Sequence, residues 1–188
     1  MNAIPNPKAF FDEVRGLLFA GTMSQAQVDG TNSILGVWTE QAPYADPRFV
    51  AYALATAFWE TARTMQPIAE YGHGAGRPYG VATGQFGKVY YGRGFVQLTW
   101  EANYQRAGKE LGVGLDADPE LALQSDIAAK IMIRGMLEGW FTGRKLADFF
   151  VGTRSDWLDA RTIINGHDHA GNVAGYALHF YQAITNAS

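Results

Sequence analysis

The sequence predicts a mainly helical domain with a small β-hairpin and loop lobe. Three observations lead there. Asparagine or aspartate stands directly before proline at Asn6-Pro7, Asp46-Pro47 and Asp118-Pro119. That pair opens helices, because the polar side chain caps the first free N–H groups while proline supplies the helical φ. Apolar residues recur at three- and four-residue spacing after these pairs, the period of a helix with one buried face. Between Glu70 and Gly94, glycine instead recurs every few residues and the helical period is lost, which reads as loop.

Taken in order, a first helix opens at Pro7, buries Phe10, Phe11, Val14, Leu17 and Leu18, and ends near Gly21. Ser24 with Gln27 fits a capping box, opening a helix through Val28, Leu35 and Trp38 that Gly30 interrupts. Pro43 to Pro47 is a loop. The next helix runs from Pro47 through Ala51, Ala53, Ala55 and Ala57 to about Met65, and Pro67 stops it. The Glu70 to Gly94 stretch carries a short hairpin with strands near Tyr79 to Ala82 and Gln85 to Tyr91. A helix from about Thr99 to Leu111 follows. Asp118-Pro119 and Ser125-Asp126 cap two more segments, the second sending Ile127, Ile131, Met132 and Met136 to the core. Lys145 to Phe150, Asp156 to Ile164 and Val173 to Ile184 complete a helical C-terminal half.

Composition narrows the function. The 188 residues suffice for one core, so residues 1–188 read as a single catalytic domain, two lobes around a cleft, with no separate wall-binding domain. A net charge of −3 argues against a nucleic-acid partner held by an overall basic field; Arg77, Lys88 and Arg93 are the candidates for a local basic patch. Cysteine is absent, which excludes disulfides, thiolate metal sites and a cysteine nucleophile. The N-terminal apolar stretch is broken by Asp12, Glu13 and Arg15, unlike a signal peptide, and no run suits membrane insertion. These features predict a monomer made and kept in the cytoplasm.

Two carboxylates stand out. Glu60 falls on the helical face of Ala53, Ala57 and Thr64, beside Trp59. Half-desolvated there, its pKa would rise, as suits a general acid; a solvated helix flank fits its position at least as well. Glu70, just beyond Pro67, reads as an exposed, ionised carboxylate able to act as base. Glycosidases divide labour in this way between two carboxyl groups. Gln97, Thr99 and Asn103 are spaced to share one side of the following turn, where amides and hydroxyls suit sugar hydroxyls and N-acetyl groups, and Thr99 could hold a water. Capping and surface solvation explain the three equally well. Asn165-Gly166 reads as a helix terminus. Tyr90, Tyr91 and Trp100 serve either as sugar platforms or as core. His167-Asp168-His169 lacks a third ligand set for a metal, and the glycine-rich stretch has no phosphate-loop pattern.

The string Tyr90 to Tyr104, Y-Y-G-R-G-F-V-Q-L-T-W-E-A-N-Y, resembles the Y-Y-G-R-G-x-x-Q-L-[ST]-x-x-x-N-Y signature of glycoside hydrolase family 19, the chitinase-like enzymes. Glu60-Thr61 resembles that family's acid motif, and Ala160 to Gly166 its downstream Asn-Gly segment. The wider string from Glu60 to Gly72 is similar to the phage and prophage endolysin branch. The resemblance implies a lysozyme-like helical fold, Glu60 as general acid, Glu70 as general base and Thr99 positioning the water. It further implies Gln97, Asn103 and Asn165 on the sugar chain, inversion at the anomeric carbon, and no cofactor or metal. Trp59 stands where many members have histidine, and Phe95 where plant chitinases have proline.

The leading expectation is therefore a peptidoglycan hydrolase, an endolysin cutting the β-1,4 bond between N-acetylmuramic acid and N-acetylglucosamine for host lysis. It would accumulate in the host cytoplasm and reach the wall by holin-dependent release. The alternatives are a chitinase, a lytic transglycosylase and a non-catalytic glycan-binding module.

Overall fold

The computed structural model describes residues 4–187; residues 1–3 and 188, part of the expected 1–188 domain, lie outside the described residues. The fold is mainly helical, as the sequence predicts. Among the described residues there are six α-helices, α1 (Pro7–Leu18), α2 (Gln25–Gln41), α3 (Pro47–Glu60), α4 (Glu101–Leu111), α5 (Ser125–Glu138) and α6 (Ala170–Asn186). Asn6, Ser24 with Gln27, and Asp46 cap α1, α2 and α3 as expected, their side chains accepting from backbone N–H groups of the first turn.

Helix α3 is the spine. Val50 through Phe58 are all buried, because α6 packs along it while α1 packs on α6 and α2 on α5. A helix enclosed on every side is apolar all round rather than on one stripe, and alanines at Ala51, Ala53, Ala55 and Ala57 let its neighbours come close. Phe58 meets Phe19, Tyr176 and Phe180 edge-on. Among the described residues no helix is long and apolar enough to cross a membrane.

Two breaker residues act differently from the sequence expectation. Gly30 does not interrupt α2, which runs unbroken to Gln41. A Cβ at Gly30 would lie 1.6 Å from the Met65 carbonyl oxygen, so the glycine admits the turn that follows α3. That turn, not Pro67, ends α3, at Glu60 rather than Met65. Ala62, Arg63 and Met65 all take positive φ, a strained choice for residues with a Cβ. The turn is held from α2, where Gln27 Nε2 donates to the Arg63 carbonyl at 3.0 Å and Gln66 Nε2 donates to that of Ala26. Tertiary bonds thus place the helix end so that Glu60 is its last residue.

The glycine-rich lobe also departs from expectation. The hairpin expected at Tyr79 to Ala82 and Gln85 to Tyr91 reduces to one bridge, Thr83 with Lys88, beside a 3-10 turn at Pro78–Gly80. The sheet is made instead by the lobe's ends: β1 (Ile68–Ala69) pairs antiparallel with β2 (Arg93–Gly94), Ile68 opposite Gly94 and Ala69 opposite Arg93. Nor does Arg93 join a surface patch with Arg77 and Lys88. It is buried, paired with Glu120 at 2.7 Å, donates to Tyr104 Oη at 3.0 Å, and lies over the Tyr91 ring.

Further on, α4 begins at Glu101 and not Thr99, so Thr99 is not its cap. Asp118 caps a 3-10 turn at Pro119–Leu123, and Ser125 is the first residue of α5 rather than its cap. The helix expected over Lys145 to Phe150 is a single 3-10 turn, Leu146–Asp148, followed by a hairpin of β3 (Phe150–Val151) and β4 (Arg154–Ser155). Arg48 in the first turn of α3 fastens this hairpin, donating to Gly152 and Arg154 carbonyls and to Ser155 Oγ.

Candidate active site

A cleft of about 480 Å³ runs between the end of α3 and the glycine-rich lobe, and all six residues singled out by the sequence line it: Glu60, Glu70, Gln97, Thr99, Asn103 and Asn165. Tyr79, Trp100, Phe141 and Ile164 supply its apolar walls.

Glu60 does not sit unpartnered on a face of small residues, nor on a solvated flank. Its side chain is 16% exposed and its Oε1 accepts from Arg161 Nη1 at 2.6 Å. Arg161, in the 3-10 turn Asp159–Ile163, is itself 4% exposed and also donates through Nε to the Asp168 carbonyl at 3.1 Å. A guanidinium held at two points is a fixed fork. It fixes one oxygen of Glu60 and leaves Oε2 without a hydrogen bond among the described residues.

Glu70 is less open than the sequence suggests, and is held by backbone. Gly74 N–H donates to Oε1 at 3.0 Å and Gly92 N–H to Oε2 at 2.8 Å, with Tyr79 Oη 3.5 Å from Oε1. An ionised carboxylate, which only accepts, satisfies these donors. Burial, then the neighbouring Glu70 charge, push the Tyr79 phenol above its ordinary value, so it stays a donor. Gly92 cannot be larger without moving this set, since a Cβ there would lie 2.9 Å from both Glu70 Oε2 and Gln97 Oε1.

The three amides are each half committed to the fold. Gln97 Nε2 donates to the Ile68 and Gly94 carbonyls at 3.0 and 3.1 Å, and Asn103 Nδ2 to that of Thr99 at 2.8 Å. Both keep their oxygens as acceptors. Asn165 is the converse: its Oδ1 accepts from Gly166 N–H at 2.9 Å, leaving its amide donors free. The Thr99 hydroxyl makes no hydrogen bond with the described residues.

Of the aromatics weighed, only Trp100 lines the cleft, the residue being 49% exposed. Tyr90 is core, its hydroxyl on the Asp116 carbonyl, and Tyr91 stacks on His73. Sequence reasoning missed Arg161, which lies inside the Asn-Gly string, and Tyr79, read as a strand residue. His167 pairs with Asp159, and His169 lies against Trp59. Among the described residues no group of three His, Cys, Asp or Glu could hold a metal.

Residues 71–146 match the family described as chitinase class I. This segment is similar to glycoside hydrolase family 19. It contains Gln97, Thr99 and Asn103 and begins one residue after Glu70. An endochitinase of Arabidopsis thaliana is 51% identical over 45 residues, 24% of this chain and 16% of that protein. An inactive chitinase-like protein of Hevea brasiliensis is 32% identical over 93 residues, 49% of this chain and 27% of that one. The matched regions thus span 16% and 27% of these relatives' length. Among solved structures, chitinase C from Streptomyces griseus superposes over 98% of this chain and 93% of its own with TM-score 0.62 at 21% identity. A family 19 class IV chitinase from Zea mays does so over 95% and 94% with TM-score 0.60 at 19% identity. The fold of this chain is the lysozyme-like helical fold of family 19 chitinases.

Proposed function

We propose that this protein is an inverting glycoside hydrolase acting on β-1,4-linked N-acetylglucosamine polymers of the chitin type. The observation that carries the reading is the placement of Glu60, Glu70 and Thr99 on one cleft, with the two carboxylates held by different chemistry. Glu60, pinned through Oε1 by Arg161, delivers a proton from Oε2 to the glycosidic oxygen as the C–O bond breaks. Glu70 takes a proton from a water held by Thr99, and that water's oxygen bonds to the anomeric carbon from the opposite face. The free oxygens of Gln97 and Asn103 accept from sugar hydroxyls or N-acetyl N–H groups, and the free amide of Asn165 donates.

The family 19 segment and the chitinase names of the relatives favour chitin over peptidoglycan. The second reading, a phage endolysin cutting between N-acetylmuramic acid and N-acetylglucosamine, rests on the endolysin-like string Glu60 to Gly72. The Hevea relative named as inactive means that likeness of sequence alone does not carry the activity. Here the reading depends on both carboxylates.

Incubation with chitin oligosaccharides and, in parallel, with purified sacculi separates these readings. Release of reducing ends from chitin, with the α-anomer formed first by NMR, is the expected result. Glu60→Gln should lower the rate about 10³-fold, the middle of the range that general-acid catalysis contributes. Cleavage confined to sacculi would move the assignment to the second reading. Binding of both glycans with no bond broken would leave a glycan-binding module.

A further inference from the structure

The segment from Asn165 to His169 joins the 3-10 turn Asp159–Ile163 to α6 and carries two groups on which the cleft depends. Asn165 lines the cleft, and the Asp168 carbonyl accepts from Arg161 Nε at 3.1 Å, giving the guanidinium on Glu60 its second point of hold. Yet every residue of the segment is exposed. An exposed loop keeps a carbonyl in place only where it is anchored to something more stable than itself. His167 bonds Asp159 Oδ1 at 3.1 Å, but Asp159 belongs to the same turn as Arg161, so this pair ties the segment to its own origin and not to α3.

His169 reaches α3. Its ring centroid lies 4.7 Å from that of Trp59, the residue before Glu60, with the planes tilted by 40°. Two turns along α6, Tyr176 stacks on the same residue at 6.3 Å and 27°, as a spacing of seven on one helix face allows. The end of α3 is thus engaged by two rings of α6. What position 169 forgoes shows what it contributes. His169 is the N-cap of α6, where a side chain accepting from the first turn stabilises a helix, and it makes no such bond. Its φ of 57° is left-handed, relaxed for glycine and strained for a residue with a Cβ. A residue that neither caps nor relaxes its helix start acts there through its ring.

We infer that His169 is a positioning residue for the proposed general acid. Its contact with Trp59 fixes the segment against the end of α3, the fixed segment holds the Asp168 carbonyl, and that carbonyl keeps the Arg161 fork on Glu60 Oε1. His169 is not among the residues lining the cleft, so its effect passes through Asp168 and Arg161. The contact uses the ring face, which another planar ring can supply.

The inference rests on Glu60 acting as the acid, so one readout is kept independent of catalysis. Steady-state rates on chitin oligosaccharides, and solvent exchange of the Arg161 Nε proton followed by NMR, would be measured in His169→Gly and His169→Phe. Glycine relaxes the backbone and removes the ring; phenylalanine keeps a ring. His169→Gly should lower kcat about tenfold with KM unchanged, as lost orientation without lost binding does. Its Arg161 proton should exchange about tenfold faster, because the segment opens more often. His169→Phe should stay within about twofold of wild type in both. A merely structural role would lower the denaturant midpoint of His169→Gly and leave kcat as it is. Wild-type kcat or wild-type exchange in His169→Gly, or a kcat in His169→Phe as low as in His169→Gly, overturns the inference. If no form cleaves chitin while the exchange pattern holds, the hydrolase reading falls and the clamp on Arg161 stands.

Discussion

Glu60 and Glu70 line one cleft, and the molecule fixes them by opposite means. Glu60 ends a helix buried on every side, and its orientation comes from Arg161, 101 residues away in sequence. Glu70 lies in a lobe with little core of its own, and its orientation comes from the N–H groups of Gly74 and Gly92 within that lobe. Where a packed helix supplies rigidity, a single long-range side chain suffices to aim a carboxylate. Where packing is thin, the backbone must aim it, and then glycine becomes necessary at the point of contact. The two ends of the proposed reaction should therefore fail differently when disturbed.

The largest effect is expected on the helical side. Arg161→Ala leaves Glu60 without its partner in a poorly solvated site, which costs about 3 kcal/mol of stability by the usual behaviour of broken buried pairs. It should also lower kcat about 100-fold through lost orientation. Arg161→Lys keeps the charge but cannot reproduce a fork reaching both Glu60 and the Asp168 carbonyl, so it should recover only part of each loss. Denaturant midpoints and initial rates on chitin oligosaccharides give both quantities. Wild-type rates in both variants would mean that Arg161 does not aim Glu60.

On the lobe side, Gly92→Ala sharpens the contrast. Its Cβ would press on Glu70 Oε2 and Gln97 Oε1, each at 2.9 Å, with no bearing on the helical core. We expect kcat to fall about tenfold, as small misplacements of a catalytic group do, with stability lowered by only ~1 kcal/mol. A variant that loses stability as heavily as Arg161→Ala would show that the lobe is coupled to the core after all.

The same contrast separates what was legible in the sequence from what was not. Helix starts were legible where a side-chain cap and its N–H partner lie within three residues, as at Asn6, Ser24 and Asp46, and not at α4 and α5, whose caps make no side-chain bond. Helix ends and breakers were not. Gly30 reads as an interruption by local propensity but serves a close approach by Met65, and Pro67 reads as a stop although the turn held by Gln27 acts first. The hairpin expected over Tyr79 to Tyr91 was lost because strand signals presume side chains to pair, and the lobe closes through its distant ends instead. The six cleft residues were found by residue chemistry joined to family resemblance. Arg161 was overlooked because a partnership spanning 101 residues leaves no local pattern.

The smallest expected effect concerns acid stability, where a surface pair can be set against the buried one. Burial, the largest single influence on Glu138, pushes its carboxyl up, but hydrogen bonds from Arg134 and from the Trp140 indole together hold it below its ordinary value. Such a carboxyl takes up its proton at lower pH when folded than when unfolded. Unfolding therefore binds protons as pH falls through the carboxylate range, and the stability involved, complete above that range, disappears through the lower, folded value. Asp46 behaves alike, with burial opposed by the side chain and backbone N–H of Arg48. Because Glu138 is 43% exposed, solvent screening limits its pair with Arg134 to about 0.5 kcal/mol. Arg134→Gln should therefore lower stability by that order at neutral pH and by less below the carboxylate range, visible as a slightly flatter acid limb in urea midpoints against pH. An acid limb unchanged in Arg134→Gln would assign the dependence to other carboxylates, with Asp46 the next to test.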